Sequence, residues 1–284
     1  PSASPGRIPA HAWATMASSD YAAELQHHVP TLREPPRFFR GTLRRAYEVS
    51  LRECARTGST ASWALFDLTP RMLLRRTQHQ GRRGEAEFHE RAARFFAGDW
   101  AELLEEARAQ AVTRRPRRRL GPEEEARRRR AKACLQVRLG EVSRARQELL
   151  AAELAPGTQE TLEELTDHDL RPPRPSEPLA PEVLGYNPPR PLELNRSHLQ
   201  QALRGARRGT APGLSGTRAE HLKVLLEDSE LLELFGDTAE TLARAEVPRP
   251  VARALAQGRL TALRKPTGKL RGIVTGATIR RVVA

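Results

Sequence analysis

Apolar positions recur at helical spacing through the first 112 residues. Over Arg37–Thr57, Phe39, Leu43, Ala46, Tyr47 and Cys54 fall roughly on one side, which predicts an amphipathic helix. A second helix is predicted over Ala61–Arg76, with Trp63, Phe66, Met72 and Leu73 around Pro70. Gly84–Ala97 and Trp100–Ala111 give a third and fourth, and Asp99 with Glu102 three residues on is a capping signal. Phe88, Phe95, Trp100, Leu103 and Leu104 supply core. An aromatic stripe of this kind is a packing surface, so residues 36–112 read as an all-α subdomain without assigned chemistry. Residues 1–35 are small, polar and Pro-punctuated, which predicts a disordered lead-in. Its His27-His28 pair has no metal-ligand partner at helical spacing and is expected in solvent.

The pattern changes at Thr113. Residues 113–168 open on the densest charge run of the chain, Arg114, Arg115, Arg117, Arg118, Arg119, Arg127, Arg128, Arg129, Arg130 and Lys132. Pro122 followed by Glu123, Glu124 and Glu125 is a helix start, with acids favoured by the N-terminal dipole. One helix is predicted from there to about Leu154, burying Leu135, Leu139, Val142, Ala145 and Leu149. Its first turns present Arg127, Arg128, Arg129 and Arg130 together. Three readings fit that block: sequence-independent phosphate contact, a nuclear localisation signal, or a solvated helix face. Residues 169–192 are a linker, since Arg171–Pro191 holds eight prolines in twenty-one residues and cannot be helix interior or central strand.

Residues 193–284 return to short elements. Ser197 with Gln200 predicts a capped helix His198–Arg208, Thr217 with Glu220 a helix Arg218–Glu227, and Asp237 with Glu240 a helix ending at Glu246. Pro248 and Pro250 open Val251–Gln257, ended by Gly258. Then Leu260–Lys265 and Lys269–Thr275 flank Pro266-Thr267-Gly268, a hairpin signal: Pro presets φ and Gly accepts a left-handed exit. A three-residue loop sets Lys265 opposite Lys269 and Leu263 opposite Arg271. Alternation then puts Lys265, Lys269 and Arg271 on one face. Three cations without a carboxylate repel one another, and a polyanion relieves that. The fold class is mainly α: a helical amino-terminal region, a Pro-rich linker, then short helices and a β-hairpin (α+β).

Composition supports the same partner. The formal charge is +13 with a pI near 11, mostly from Arg. From Val247 to Ala284 there are nine Lys or Arg and no Asp or Glu. Such a surplus favours nucleic acid or another anionic surface, although an Arg-rich coding bias produces the same number. Two cysteines, Cys54 and Cys134, make neither a disulfide framework nor a zinc cluster and read as buried thiols. No apolar run is long enough for a membrane span and no signal peptide is visible, so no membrane partner is expected. Localisation stays open between nucleus and cytoplasm.

Lys265–Ile273, KPTGKLRGI, resembles the fingers hairpin of reverse transcriptases, where a Lys-Pro-x-Gly turn precedes Arg-Pro-Ile. Gly209–Lys223, GTAPGLSGTRAEHLK, resembles the Ala-Pro-Gly-x-(Asp/Ser)-Gly segment that opens the polymerase domain of non-LTR retrotransposon enzymes. The two motifs, in this order, lie in Leu192–Ala284, about a third of the chain. The resemblance implies an RNA-directed DNA polymerase of a mobile element. It implies that Lys265 and Arg271, with Lys269 beside them, bind the triphosphate of the incoming nucleotide. It also implies that Gly213 and Gly216 form a template-side loop and that Lys223 contacts the backbone. RNA and DNA are then the partners. Gly272 departs from the family, which has Pro at that position. The palm aspartates that hold Mg2+ in such polymerases do not occur within these 284 residues. The chain therefore reads as a fragment separated from its palm and thumb, with no catalytic or metal-binding residue of its own and no cofactor. A non-enzymatic basic helical nucleic-acid-binding protein is the alternative, and an interaction scaffold without nucleic acid is a third reading.

Overall fold

The computed structural model describes residues 8–112, 121–138, 140, 142–150, 153–170, 178, 180–186, 189–265 and 267–284. In chain order the helices are α1 (Ala10–Ser18), α2 (Tyr21–Gln26), α3 (Arg40–Thr57), α4 (Thr60–Leu73), α5 (Gly81–Ala97), α6 (Trp100–Val112), α7 (Pro122–Arg138) and α8 (Val142–Leu150). Strand β1 (Glu153–Leu154) precedes α9 (Gln159–Thr166), α10 (Pro181–Leu184), α11 (Arg196–Gly205), α12 (Ala219–Leu222), α13 (Ser229–Ala243) and α14 (Arg249–Ala256). Strands β2 (Gly258–Arg264) and β3 (Leu270–Gly276) lead to α15 (Thr278–Val283). The chain is mainly helical with a small antiparallel sheet of order β1-β2-β3. No described helix is long and apolar enough to cross a membrane.

Two compact units divide these elements. The first holds residues 1–113, 179–259 and 275–284; the second holds 114–178 and 260–274. The expected division at the Pro-rich segment therefore does not organise the packing. Residues on both sides of it share the first unit's core, which runs from Leu43, Tyr47, Phe66 and Trp100 to Leu203, Leu225 and Phe235. Helix α3 packs on α4 and also on α13, because its apolar stripe is wide enough to serve both. Phe66 and Phe235, whose ring centroids are 6.2 Å apart, join the two halves.

The lead-in also differs from its expectation. From Ile8 onward it is built: Asp20 caps α2 by accepting from the Ala22 and Ala23 amides, and Ala12, Met16, Tyr21 and Leu25 are buried. His27 and His28 are exposed, as the sequence suggests. Residues 1–7 lie outside the described part.

Capping shifts account for most displaced boundaries. Asn195 caps α11, accepting from Ser197 and His198 amides, so the helix begins before Ser197. Thr217 spends its hydroxyl on the Asp67 carbonyl and leaves the cap to Arg218, and Lys223–Glu227 continues as a 3-10 helix. Asp228 caps α13, which runs through Asp237; that carboxylate pairs with Arg196 at 2.5 Å.

In the second unit the single long helix is a helical hairpin. The chain reverses near Gly140, at φ +76, and α8 returns against α7. Only one turn's worth of small residues, Ala133 and Ala145, is buried, while Leu135, Val142 and Leu149 are exposed. Leu139 lies outside the described residues. Cys134 is exposed, contrary to the buried thiol expected, because it sits on the open flank of this thin pair. Cys54 is buried in the first unit, and burial pushes its thiol up to about 12.

Candidate nucleic-acid interface

The hairpin forms as its turn chemistry dictates. The Lys265 amide donates to the Lys269 carbonyl at 2.8 Å and the Gly268 amide to the Lys265 carbonyl at 2.9 Å. Gly268 takes the left-handed exit at φ +82. Pro266 lies outside the described residues. The register sets Lys265 across from Lys269 and Leu263 across from Arg271, so one face carries Lys265, Lys269 and Arg271. Cross-strand Cβ atoms in such pairs are about 4.5–5.5 Å apart. All three side chains are exposed, and among the described residues none has a hydrogen bond or ion pair.

The opposite face is covered at Leu270, and Gly272 contacts α9, while Leu260, Arg264 and Val274 stay exposed. Leu270 is 4% exposed, and its amide donates to Glu164 Oε1 of α9 at 3.0 Å. A Cβ on Gly272 would stand 3.2 Å from Leu260 Cδ1 and 3.5 Å from Leu165 Cδ2. The missing side chain at Gly272 thus makes room for α9, and the position aims away from the cation face. On the flank, β1 pairs antiparallel with β2, Glu153 with Arg264 and Leu154 with Leu263. This third strand gives the hairpin a support that the sequence does not announce. Ile273 is 39% and Val274 67% exposed, whereas Leu263, paired with Leu154 of β1, is half-buried.

Arg127, Arg128, Arg129 and Arg130 occupy α7 of the same unit. Arg127, Arg128 and Arg130 are exposed, and Arg129 pairs with Glu125 one turn back at 3.3 Å. Consecutive residues on a helix radiate around the axis, so the four do not share one face. The run Arg114, Arg115, Arg117, Arg118 and Arg119 falls outside the described residues.

Gly213, Gly216 and Lys223 belong to the first unit and do other work. Gly213 is buried; a Cβ there would meet the Gly276 carbonyl oxygen and Ala277 Cα at 2.9 Å. Gly216 is buried at φ +82, its carbonyl accepting from the Thr31 hydroxyl at 2.7 Å. Both glycines make close core contacts from within their loop. Lys223 donates to the Arg204 and Ala206 carbonyls at 3.0 and 2.8 Å, ending α11 where the helix dipole favours a cation.

The Gly213–Thr217 loop is held by a polar network that sequence reasoning missed. Arg71, fully buried on α4, donates through Nε to the Ser215 carbonyl at 3.0 Å. Through Nη2 it donates to those of Leu214 at 2.6 Å and His27 at 2.8 Å. Its Nη1 reaches the Glu24 carbonyl at 2.7 Å and the Glu24 carboxylate at 3.3 Å. Tyr21 donates to Asp67 at 2.7 Å, and burial pushes the Asp67 carboxyl above the usual carboxylate range. Charged residues in a helix as apolar as α4 were the available signal.

Among the described residues no three His, Cys, Asp or Glu side chains converge as a metal site requires. The described residues do not fit the Mg2+ that the resemblance associates with the full-length polymerase. No protein-family model matches the chain, and neither curated proteins nor solved structures yield a match.

Proposed function

We propose that this chain is part of a retroelement reverse transcriptase, and that its own task is to hold phosphate groups of nucleotide and nucleic acid. The observation that carries this is the hairpin's open face, with Lys265, Lys269 and Arg271 exposed and unpaired among the described residues. Lys supplies a compact point charge and Arg a planar fork suited to bidentate phosphate contact. Three such groups within a few ångströms lose mutual repulsion when a triphosphate neutralises them. The order of the two motifs, GTAPGLSGT and then KPTGKLRGI, adds the family to the chemistry.

Titration with a fluorescent deoxynucleoside triphosphate tests the reading. The wild-type chain should bind it in a salt-sensitive way, and the triple variant K265A/K269A/R271A should lose most of that binding. Equal binding by both would refute the grip. Primer extension with the isolated chain and Mg2+ should give no incorporation, since the metal-holding carboxylates of a polymerase are not among these residues; template-dependent incorporation would overturn that.

The second reading, a non-enzymatic basic helical nucleic-acid binder, is favoured by the exposed arginines of α7. It predicts oligonucleotide binding that depends on Arg127, Arg128 and Arg130, with no triphosphate binding at the hairpin.

A further inference from the structure

Three arginines from distant parts of the sequence meet around the loop Gly209–Ala211 in the first unit, and a fourth, Arg259, lies within electrostatic reach of one of them, Arg218. Arg33 lays its guanidinium against Gly209: a Cβ there would be 2.2 Å from Arg33 Nη2 and 2.7 Å from Cζ. Gly209 is at φ +74, so both conformation and space require glycine. Arg218 Nη1 donates to the Thr210 carbonyl at 3.1 Å, and Arg281 Nη2 to the next carbonyl, Ala211, at 2.8 Å. Arg259 donates to Nδ1 of His28 at 2.8 Å.

None of the four forms a salt bridge among the described residues, although the chain has many. The carboxylate nearest in the network, Glu220, is buried and bonded to the Gly209 amide, beneath the loop. Arg218 Nε is buried without an acceptor. Desolvation chiefly lowers Arg218, with Glu220 opposing it and Arg33 adding to it, and desolvation followed by the charge of Arg218 lowers Arg259. Backbone carbonyls hold Arg218 and Arg281, a histidine ring holds Arg259, and the single carboxylate of Glu220 offsets only part of the four positive charges. A cluster with this excess of cations is a stored demand for anionic charge.

We propose that Arg33, Arg218, Arg259 and Arg281 form a second phosphate-binding surface, one that takes the phosphodiester backbone of a nucleic-acid strand. Guanidinium forks match phosphate oxygens, and contacts to phosphate carry no sequence information, so binding is sequence-tolerant. Because phosphate is what is held, RNA and DNA of one sequence bind alike. The surface draws on Arg218 within the first resemblance motif, on Arg259 and Arg281 either side of the second, and on Arg33, which lies in the stretch the sequence marks as a disordered lead-in. Of the hairpin it uses only Arg259 at the start of β2, and none of Lys265, Lys269 and Arg271.

The test is fluorescence anisotropy with a short labelled single-stranded RNA, titrated over a range of salt. Wild type is compared with R33A/R259A, R33K/R259K and the hairpin variant K265A/K269A/R271A. R33A/R259A should weaken binding and reduce the slope of log K against log salt by about 1.4, at ~0.7 per single-strand phosphate contact. R33K/R259K, which keeps the charges, should restore most of the slope, while a loss caused only by misfolding would not be restored. A slope unchanged in R33A/R259A while the hairpin variant loses binding overturns this surface and keeps the triphosphate grip. Loss in R33A/R259A with the hairpin variant unaffected supports this surface and counts against the grip. No binding of RNA by wild type at low salt overturns it outright.

Discussion

Arg71 Nε donates to the carbonyl of Ser215 at 3.0 Å, joining residues 144 positions apart. Through that bond and those to Leu214, His27 and Glu24, one buried side chain ties α4, the α2 exit and the Gly-rich loop together. Replacing it by Leu leaves four carbonyls without their donor and removes one of two cations from the buried Glu24, which also pairs with Arg108 at 2.7 Å. Breaking a buried pair by deleting one partner costs about 3–5 kcal/mol. Arg71→Leu should therefore lower the urea midpoint of the first unit sharply. Arg71→Lys should recover only part, since an ammonium cannot reproduce the fork. A variant as stable as wild type would show that the network contributes little.

His221 gives a pH dependence with a definite sign. Its ring is buried, Nδ1 accepts from the Arg218 amide at 3.2 Å, and Nε2 donates to the Leu32 carbonyl at 2.8 Å. Burial, chiefly, lowers its pKa from 6.5 to about 4. The folded state keeps the ring neutral while the unfolded chain takes up a proton below pH 6.5. Its contribution is therefore fully present above 6.5 and is lost as pH falls towards about 4. A shift of this size corresponds to roughly 3 kcal/mol. Urea unfolding of wild type and His221→Gln across that window should show the slope in wild type and its reduction in the variant.

Much of this was legible where local chemistry decides. Pro266-Thr267-Gly268 announced the hairpin, and the periodic Leu43, Tyr47 and Phe66 announced α3 and α4. Long-range choices were not. Nothing near Thr217 says that its hydroxyl will serve the Asp67 carbonyl 150 residues away. Arg33, Arg218, Arg259 and Arg281 are unremarkable in a chain so rich in Arg, and only folding gathers them. Gly140, inside an otherwise helical pattern, was the available sign that the long helix ends there.

The two thiols should differ as reporters. Cys134 is exposed on α7, whereas Cys54 is buried and held protonated, with its thiol pushed up to about 12. The thiolate is the reacting species, so burial slows Cys54 twice, by access and by ionisation. An aromatic disulfide reagent at neutral pH should modify one thiol rapidly and the second only with unfolding of the first unit. Cys134→Ser should abolish the fast phase and leave the slow one. Two fast thiols would mean that α3 is open in solution.

Two glycines separate rigid from yielding contacts. At Gly213 an added Cβ meets backbone, the Gly276 oxygen and Ala277 Cα at 2.9 Å, and neither can rotate away. At Gly272 it meets the end of Leu260 at 3.2 Å, a side chain that is 47% exposed and free to turn. Overpacking against a fixed neighbour costs about 1–3 kcal/mol. Gly in a strand interior is itself unfavourable by roughly 0.5–1 kcal/mol relative to Ala. Gly213→Ala should therefore destabilise the first unit by that larger amount, while Gly272→Ala should be neutral or slightly stabilising. Paired denaturant melts decide it. If Gly272→Ala proves the more damaging of the two, α9 must pack on the hairpin more tightly than the Leu165 and Leu260 contacts imply.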